Sequence, residues 1–132
     1  RRSLKNLNTN YIDLYQVHFP NPIINIKSTV RSMEDLVDEG CVKYIGISNF
    51  SLERMQEFMS NLKKYELSST QMRYNLIDRK IERDIIPFSI REGISILAWF
   101  PLGQGRLVSD SFYGKENISK LQLRMPWLGI LH

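Results

Sequence analysis

Four short apolar runs, Ile12 to Val17, Val42 to Ile47, Leu67 to Met72 and Ile94 to Phe100, return about every 25 to 30 residues along this 132-residue chain. They constrain its fold more than any other feature. Each run has the length and β-branched content of a strand, and the stretches between them carry apolar residues at helical spacing. Strand, helix, strand, helix in that order predicts a parallel sheet with helices packed against it, because parallel neighbours need a long crossover that a helix supplies.

The connecting helices can be bounded residue by residue. The first runs over about Lys27 to Glu39, with Ile26, Val30, Met33, Leu36 and Val37 on one face and Gly40 as its left-handed stop. Ser51 is a good N-cap for the second, whose stripe is Leu52, Met55, Phe58, Met59 and Leu62. A third, shorter helix has Ile81, Ile85 and Ile86 as its apolar set. Pro87 interrupts or restarts it, and Gly93 ends it before the last strand. These apolar residues read as core rather than as the lining of a ligand channel, since helical spacing is the signature of packing.

Composition narrows the class. With 42% hydrophobic and 24% charged residues the chain is that of a globular protein. Its single cysteine, Cys41, permits no internal disulfide, which fits a reducing cytoplasm. No apolar stretch is long enough to span a membrane, and Arg1 to Lys5 lacks the apolar centre of a secretion signal. The net charge of +4 is spread among acids, as in Glu82-Arg83-Asp84, so nucleic-acid binding is not expected. No metal site is expected either: the second histidine is the terminal His132, and Cys41 has no partner at ligand spacing. Starting at Arg1 rather than methionine suggests a piece or a processed product of a longer chain.

Polar and aromatic groups gather where the strands end. The first run finishes on His18, followed at once by Phe19 and Pro20; the second closes on Ser48 and Asn49; the third carries Gln71; the fourth carries Trp99. Taken singly, each has an ordinary structural explanation: a lone histidine is more often structural, Ser-Asn is commonly a turn or cap, and a tryptophan is commonly core. Alternation places His18 on one strand face with Gln16 and Leu14, and Tyr15, Val17 and Asp13 on the other.

In this succession the chain resembles the aldo-keto reductase family over about Ser3 to Gly105. The resemblance implies a portion of a (β/α)8 barrel, about its fourth to seventh βα units, and an eight-unit barrel takes about 250 residues. Residues 1–106 would be that central portion and 107–132 a divergent tail, in which Lys115 to Ile118 could open a helix. The family reduces aldehydes or ketones with a nicotinamide dinucleotide. By this resemblance His18 is catalytic and polarises the substrate carbonyl, Ser48, Asn49 and Gln71 bind the nicotinamide carboxamide, and Trp99 stacks on its ring. Pro101, Leu102 and Gln104 lie in the loop that approaches the cofactor diphosphate, with Arg106 beside them. Phe100 departs from the small polar residue usual at its place. NADP is the implied cofactor, with NAD not excluded.

The family's tyrosine acid, its lysine and its aspartate precede the fourth strand and have no counterpart here. Tyr15 and Asp13 face the wrong way, and Lys43 opens a strand at the end opposite the ligand mouth. Hence the chain alone is not expected to be active. Two alternatives stand beside the enzyme: a nucleotide-sensing regulatory subunit of the same fold, whose members tend to lack the histidine, and an inactive remnant of a disrupted reductase gene. An arc of parallel strands also leaves one face and two edges open, which predicts self-association or reliance on further segments.

Overall fold

The computed structural model describes residues 2–105. A short helix α1 (Arg2–Leu7) precedes β1 (Ile12–Val17), and α2 (Ile26–Asp38), β2 (Val42–Ser48), α3 (Leu52–Asn61) and β3 (Leu67–Arg73) follow in turn. After a 3-10 turn at Lys80–Glu82 come α4 (Ile85–Arg91) and β4 (Ser95–Trp99), and a second 3-10 turn occupies Gly103–Gly105. The four strands form one sheet in the order β1-β2-β3-β4, every pair parallel. Expectation and structure agree on number, order and direction.

The helix ends follow local chemistry. Asn25 caps α2 by accepting from the Lys27 N–H at 2.8 Å, and Gly40 takes φ +69° where the helix stops. Ser51 caps α3 through the Arg54 N–H. The third expected helix is split: Ile81 lies in the 3-10 turn, then Asp84 accepts from the Ile85 N–H and the chain restarts as α4. Pro87 sits in the first turn of α4, where its missing N–H leaves no helical bond unmade, and Gly93 at φ +69° closes the segment.

The core lies on one side of the sheet. Ile45, Ile47 and Leu67 from the strands pack with Val30 and Met33 of α2, Met55 and Phe58 of α3, Phe88 of α4, and Phe50 and Ile94 from the connections. Ile26, Val37, Leu52, Met59 and Leu62 pack around this centre, as their spacing predicts. One buried charge belongs to the same layer: Glu34 of α2 accepts from the backbone N–H groups of Lys63 and Lys64 at 2.8 and 2.7 Å, clasping the chain just past α3. Burial acts to raise the Glu34 carboxyl, but the N–H groups of Lys64, Lys63 and Tyr65 outweigh it and hold the group below its ordinary range.

On the opposite face the register aligns Gln16, Gly46, Ser69 and Ser95 in one row across all four strands. Gly46 is required there by space. A Cβ on it would stand 2.6 Å from Ser69 Oγ and 2.8 Å from Gln16 Cγ. Gln16 uses the room to reach over β2, its Nε2 donating to Ile47 O and Ser69 Oγ, both at 3.4 Å. Below and above this row Tyr44 and Leu97 remain 57% and 39% exposed, so the face is uncovered by any described residue.

Candidate functional site

Because the strands are parallel, all four carboxyl ends open on one rim, and His18, Ser48, Asn49, Gln71 and Trp99 stand on or just inside it. His18 immediately follows β1, Ser48 ends β2, Gln71 lies on β3 opposite Ser48, and Trp99 ends β4 opposite Arg73. The His18 imidazole is exposed, with the Phe19 ring edge-on at 4.6 Å.

Asn49 joins these ends. Its Nδ2 donates to the His18 carbonyl at 3.2 Å and to Ser48 Oγ at 2.9 Å, and its Oδ1 accepts from Trp99 Nε1 at 2.9 Å. Its backbone N–H donates to Gln71 O at 3.0 Å, an oxygen that also accepts from Ser48 Oγ at 3.1 Å. Asn49 holds φ +62°, the left-handed region that asparagine tolerates better than most residues.

This network fixes what the cluster can offer a ligand. Both amide protons of Asn49 and the single hydroxyl proton of Ser48 are engaged, so each residue keeps one acceptor lone pair and no donor, that of Asn49 on a half-buried residue and that of Ser48 on one only 2% exposed. The Gln71 side-chain amide is half-buried and makes no hydrogen bond among the described residues, which leaves it able both to donate and to accept. Two acceptors, one free amide and one flat ring suit a planar aromatic carboxamide, whose N–H2 donates and whose oxygen accepts.

Behind Trp99 lies a group that sequence reasoning did not single out. The Arg73 guanidinium stands 5.9 Å from the Trp99 ring centre and 5.1 Å from that of Phe100, and its Nε pairs with Asp78 Oδ2 at 3.0 Å. Phe100, edge-on to Trp99 at 5.4 Å, takes φ +68°, an outlier for so bulky a residue. The adjoining loop is held by Asn75, whose Oδ1 accepts from the Ile77 and Asp78 N–H groups and whose Nδ2 donates to Phe100 O at 3.2 Å. Pro101 and Leu102 follow as exposed residues, and Gly103 is buried. The Gln104 side chain, Arg106, the helix expected from Lys115 and the remaining tail to residue 132 lie outside the described residues.

Tyr15 and Asp13 are off the rim, as alternation requires. Tyr15 stands near Leu4 and Leu36, and Asp13 pairs with Lys43 Nζ at 2.9 Å near the amino ends of β1 and β2. No group of three or more His, Cys, Asp or Glu residues that could hold a metal ion occurs among the described residues.

Parallel strands in sequential order, helices on one side and polar groups on the carboxyl rim define an arc of an α/β barrel with a candidate ligand site at its mouth. The model of the aldo/keto reductase family matches residues 1–123, and the chain belongs to that family. It is 41% identical over 105 residues to the aldo-keto reductase YhdN of Bacillus subtilis, covering 80% of this chain and 31% of that protein. It is 32% identical over 135 residues to the methylglyoxal reductase YeaE of Escherichia coli, covering 96% of this chain and 47% of the other. Among solved structures, the thermostable aldo-keto reductase Tm1743 with the inhibitor epalrestat superposes with a TM-score of 0.76 at 33% identity. The Klebsiella pneumoniae aldo-keto reductase in complex with NADPH does so with a TM-score of 0.75 at 31% identity. Each of these two matches covers 92% of this chain and 43% of the solved one. The chain thus spans less than half the length of these relatives.

Proposed function

We propose that the chain forms the cofactor-facing part of a nicotinamide-dependent reductase of aldehydes or ketones, with NADP as the cofactor. The single observation that carries this reading is the convergence of Ser48, Asn49, Gln71 and Trp99 in one connected cluster whose open lone pairs and free amide complement a carboxamide. NADP(H) bound to the Klebsiella relatives supports the choice of cofactor.

A bound nicotinamide supplies the hydride. The work of this chain's residues is to hold it and to prepare the carbonyl. Ser48 Oγ and Asn49 Oδ1 accept from the carboxamide N–H2, the Gln71 amide meets its oxygen, and Trp99 gives the ring a flat surface whose partner face is excluded from water. His18 donates to the carbonyl oxygen of the substrate. That hydrogen bond strengthens as negative charge develops on the oxygen, so it favours the transition state over the ground state. Pro101, Leu102 and Gln104 form the loop toward the diphosphate; in its turn at Gly103–Gly105 the Gly103 and Gly105 N–H groups already donate to Phe100 O and Leu102 O, so the loop shapes the approach rather than supplying those two donors.

The two groups of residues fail differently when altered. In this segment joined to the remaining βα units of a family barrel, Trp99→Ala weakens cofactor binding by on the order of 1 kcal/mol or more, the scale of a lost aromatic contact and its buried area. His18→Ala lowers single-turnover hydride transfer and leaves cofactor affinity nearly unchanged. Calorimetric cofactor titration and single-turnover kinetics measure both. Unchanged affinity in Trp99→Ala, or loss of binding with intact chemistry in His18→Ala, overturns the assignment.

A further inference from the structure

We infer that Asn49 is a positioning residue for Trp99: by accepting the indole N–H it sets the plane of the ring and ties it to the strand end that carries His18. The inference rests on the reading of Trp99 as a stacking surface. It adds what holds that surface in place.

Among the described residues, Asn49 makes hydrogen bonds to groups from all four strand segments: His18 O after β1, Ser48 Oγ on β2, Gln71 O on β3 and Trp99 Nε1 on β4. Two other groups stand against the Trp99 ring. Phe100 meets it edge-on and Arg73 stands 5.9 Å from its centre; neither supplies a directional bond. A ring stacked only on apolar or cationic groups can still turn about its χ angles, whereas an N–H donated at 2.9 Å fixes one edge. Tyrosine or phenylalanine at position 99 has no ring N–H to give. Tryptophan thus offers Asn49 an edge donor that phenylalanine lacks altogether.

The left-handed backbone of Asn49 makes a clean test available. Glycine accepts φ +62° without strain, so Asn49→Gly deletes the side chain alone, while Asn49→Asp keeps an acceptor for the indole and loses the amide protons. The full 132-residue chain is labelled with 15N, the Trp99 indole signal is identified from its loss in Trp99→Phe, and hydrogen exchange of that proton is followed above pH 6. A single neutral hydrogen bond predicts that the indole proton exchanges about fivefold or more slowly than in free tryptophan. Asn49→Gly brings it to within about twofold of the free rate, Asn49→Asp keeps it slow, and the backbone amides of Ile47 and Thr70 stay protected throughout. An unprotected Trp99 indole in the unsubstituted chain, an Asn49→Gly chain with unchanged indole exchange, or an Asn49→Asp chain as fast as Asn49→Gly overturns the inference. Should Asn49→Gly also release Ile47 and Thr70, the unsubstituted chain and Asn49→Asp decide. None of these readouts involves cofactor, so their failure is separate from a failure of the nicotinamide reading, which the titrations above address.

Discussion

Gly46→Ala tests the tightest steric relation in the sheet. The added Cβ meets Ser69 Oγ at 2.6 Å and Gln16 Cγ at 2.8 Å, both inside the range that real contacts avoid. Ser69 is 3% exposed and has little room to yield, so Gln16 must swing away. That movement gives up its bonds to Ile47 O and Ser69 Oγ, which at 3.4 Å are long and weak, about 0.5 kcal/mol each. Residual overpacking adds about 1–3 kcal/mol. Against this, alanine loses less chain entropy on folding than glycine, a gain of about 0.4–1 kcal/mol. The balance is a loss of about 1–3 kcal/mol, read as a lowered urea midpoint with unchanged slope. The same substitution in a Gln16→Ala, Ser69→Ala background is neutral or slightly stabilising, because the colliding atoms are gone. A Gly46→Ala chain as stable as the parent, or one equally destabilised in both backgrounds, refutes the steric account.

If the proton donor, its lysine and its aspartate lie outside these 132 residues, as the resemblance implies, the purified 132-residue chain shows no measurable His18-dependent oxidation of NADPH by aldehydes, since general acid catalysis alone is worth about 10²–10⁴-fold; a rate lost in His18→Ala would contradict this. Glu34→Ala strands the Lys63 and Lys64 N–H groups and lowers stability by about 1–3 kcal/mol in chemical denaturation. As the folded carboxyl titrates below its ordinary value, the contribution of Glu34 is present above about pH 4.5 and fades as pH falls through the lowered pKa; acid titration of parent and Glu34→Ala should converge there. With Tyr44 and Leu97 uncovered, the isolated chain associates or binds a hydrophobic dye, and a strictly monomeric, dye-silent species by light scattering would count against that.

What could be read from sequence was whatever repeats or punctuates locally. Val30, Met33, Met55 and Phe58 announced the buried faces of α2 and α3 by spacing, and Gly40, Ser51 and Gly93 marked ends through backbone or capping chemistry. That the strand-end residues share one rim was legible because a parallel sheet brings its carboxyl ends together whatever the loops do; the roles expected of them came from the family resemblance and not from the pattern itself. Long-range partnerships were not. Asn49 and Trp99 are 50 residues apart, and nothing near either one signals that an amide will accept an indole proton. Glu34 lies in a helix otherwise patterned for solvent on that side, and only the path of the chain after α3 makes its burial affordable. Arg73 looks like one more charge until β4 places two rings beside it. The split at Ile81 to Ile85 depends on Asp84 finding the Ile85 N–H, a choice between neighbouring caps that helical spacing does not resolve.

The uniform direction of β1 to β4 has a consequence for how such a protein can vary. Any strand continuing the ring from either free edge in parallel register delivers the loop after it to the same rim as His18 and Trp99, while the loop before it goes to the far side. Chemistry and scaffold are thereby assigned to opposite poles. Loops on the rim can be lengthened, exchanged or recombined to alter what is recognised, and the Gln16–Gly46–Ser69 row beneath them need not change at all.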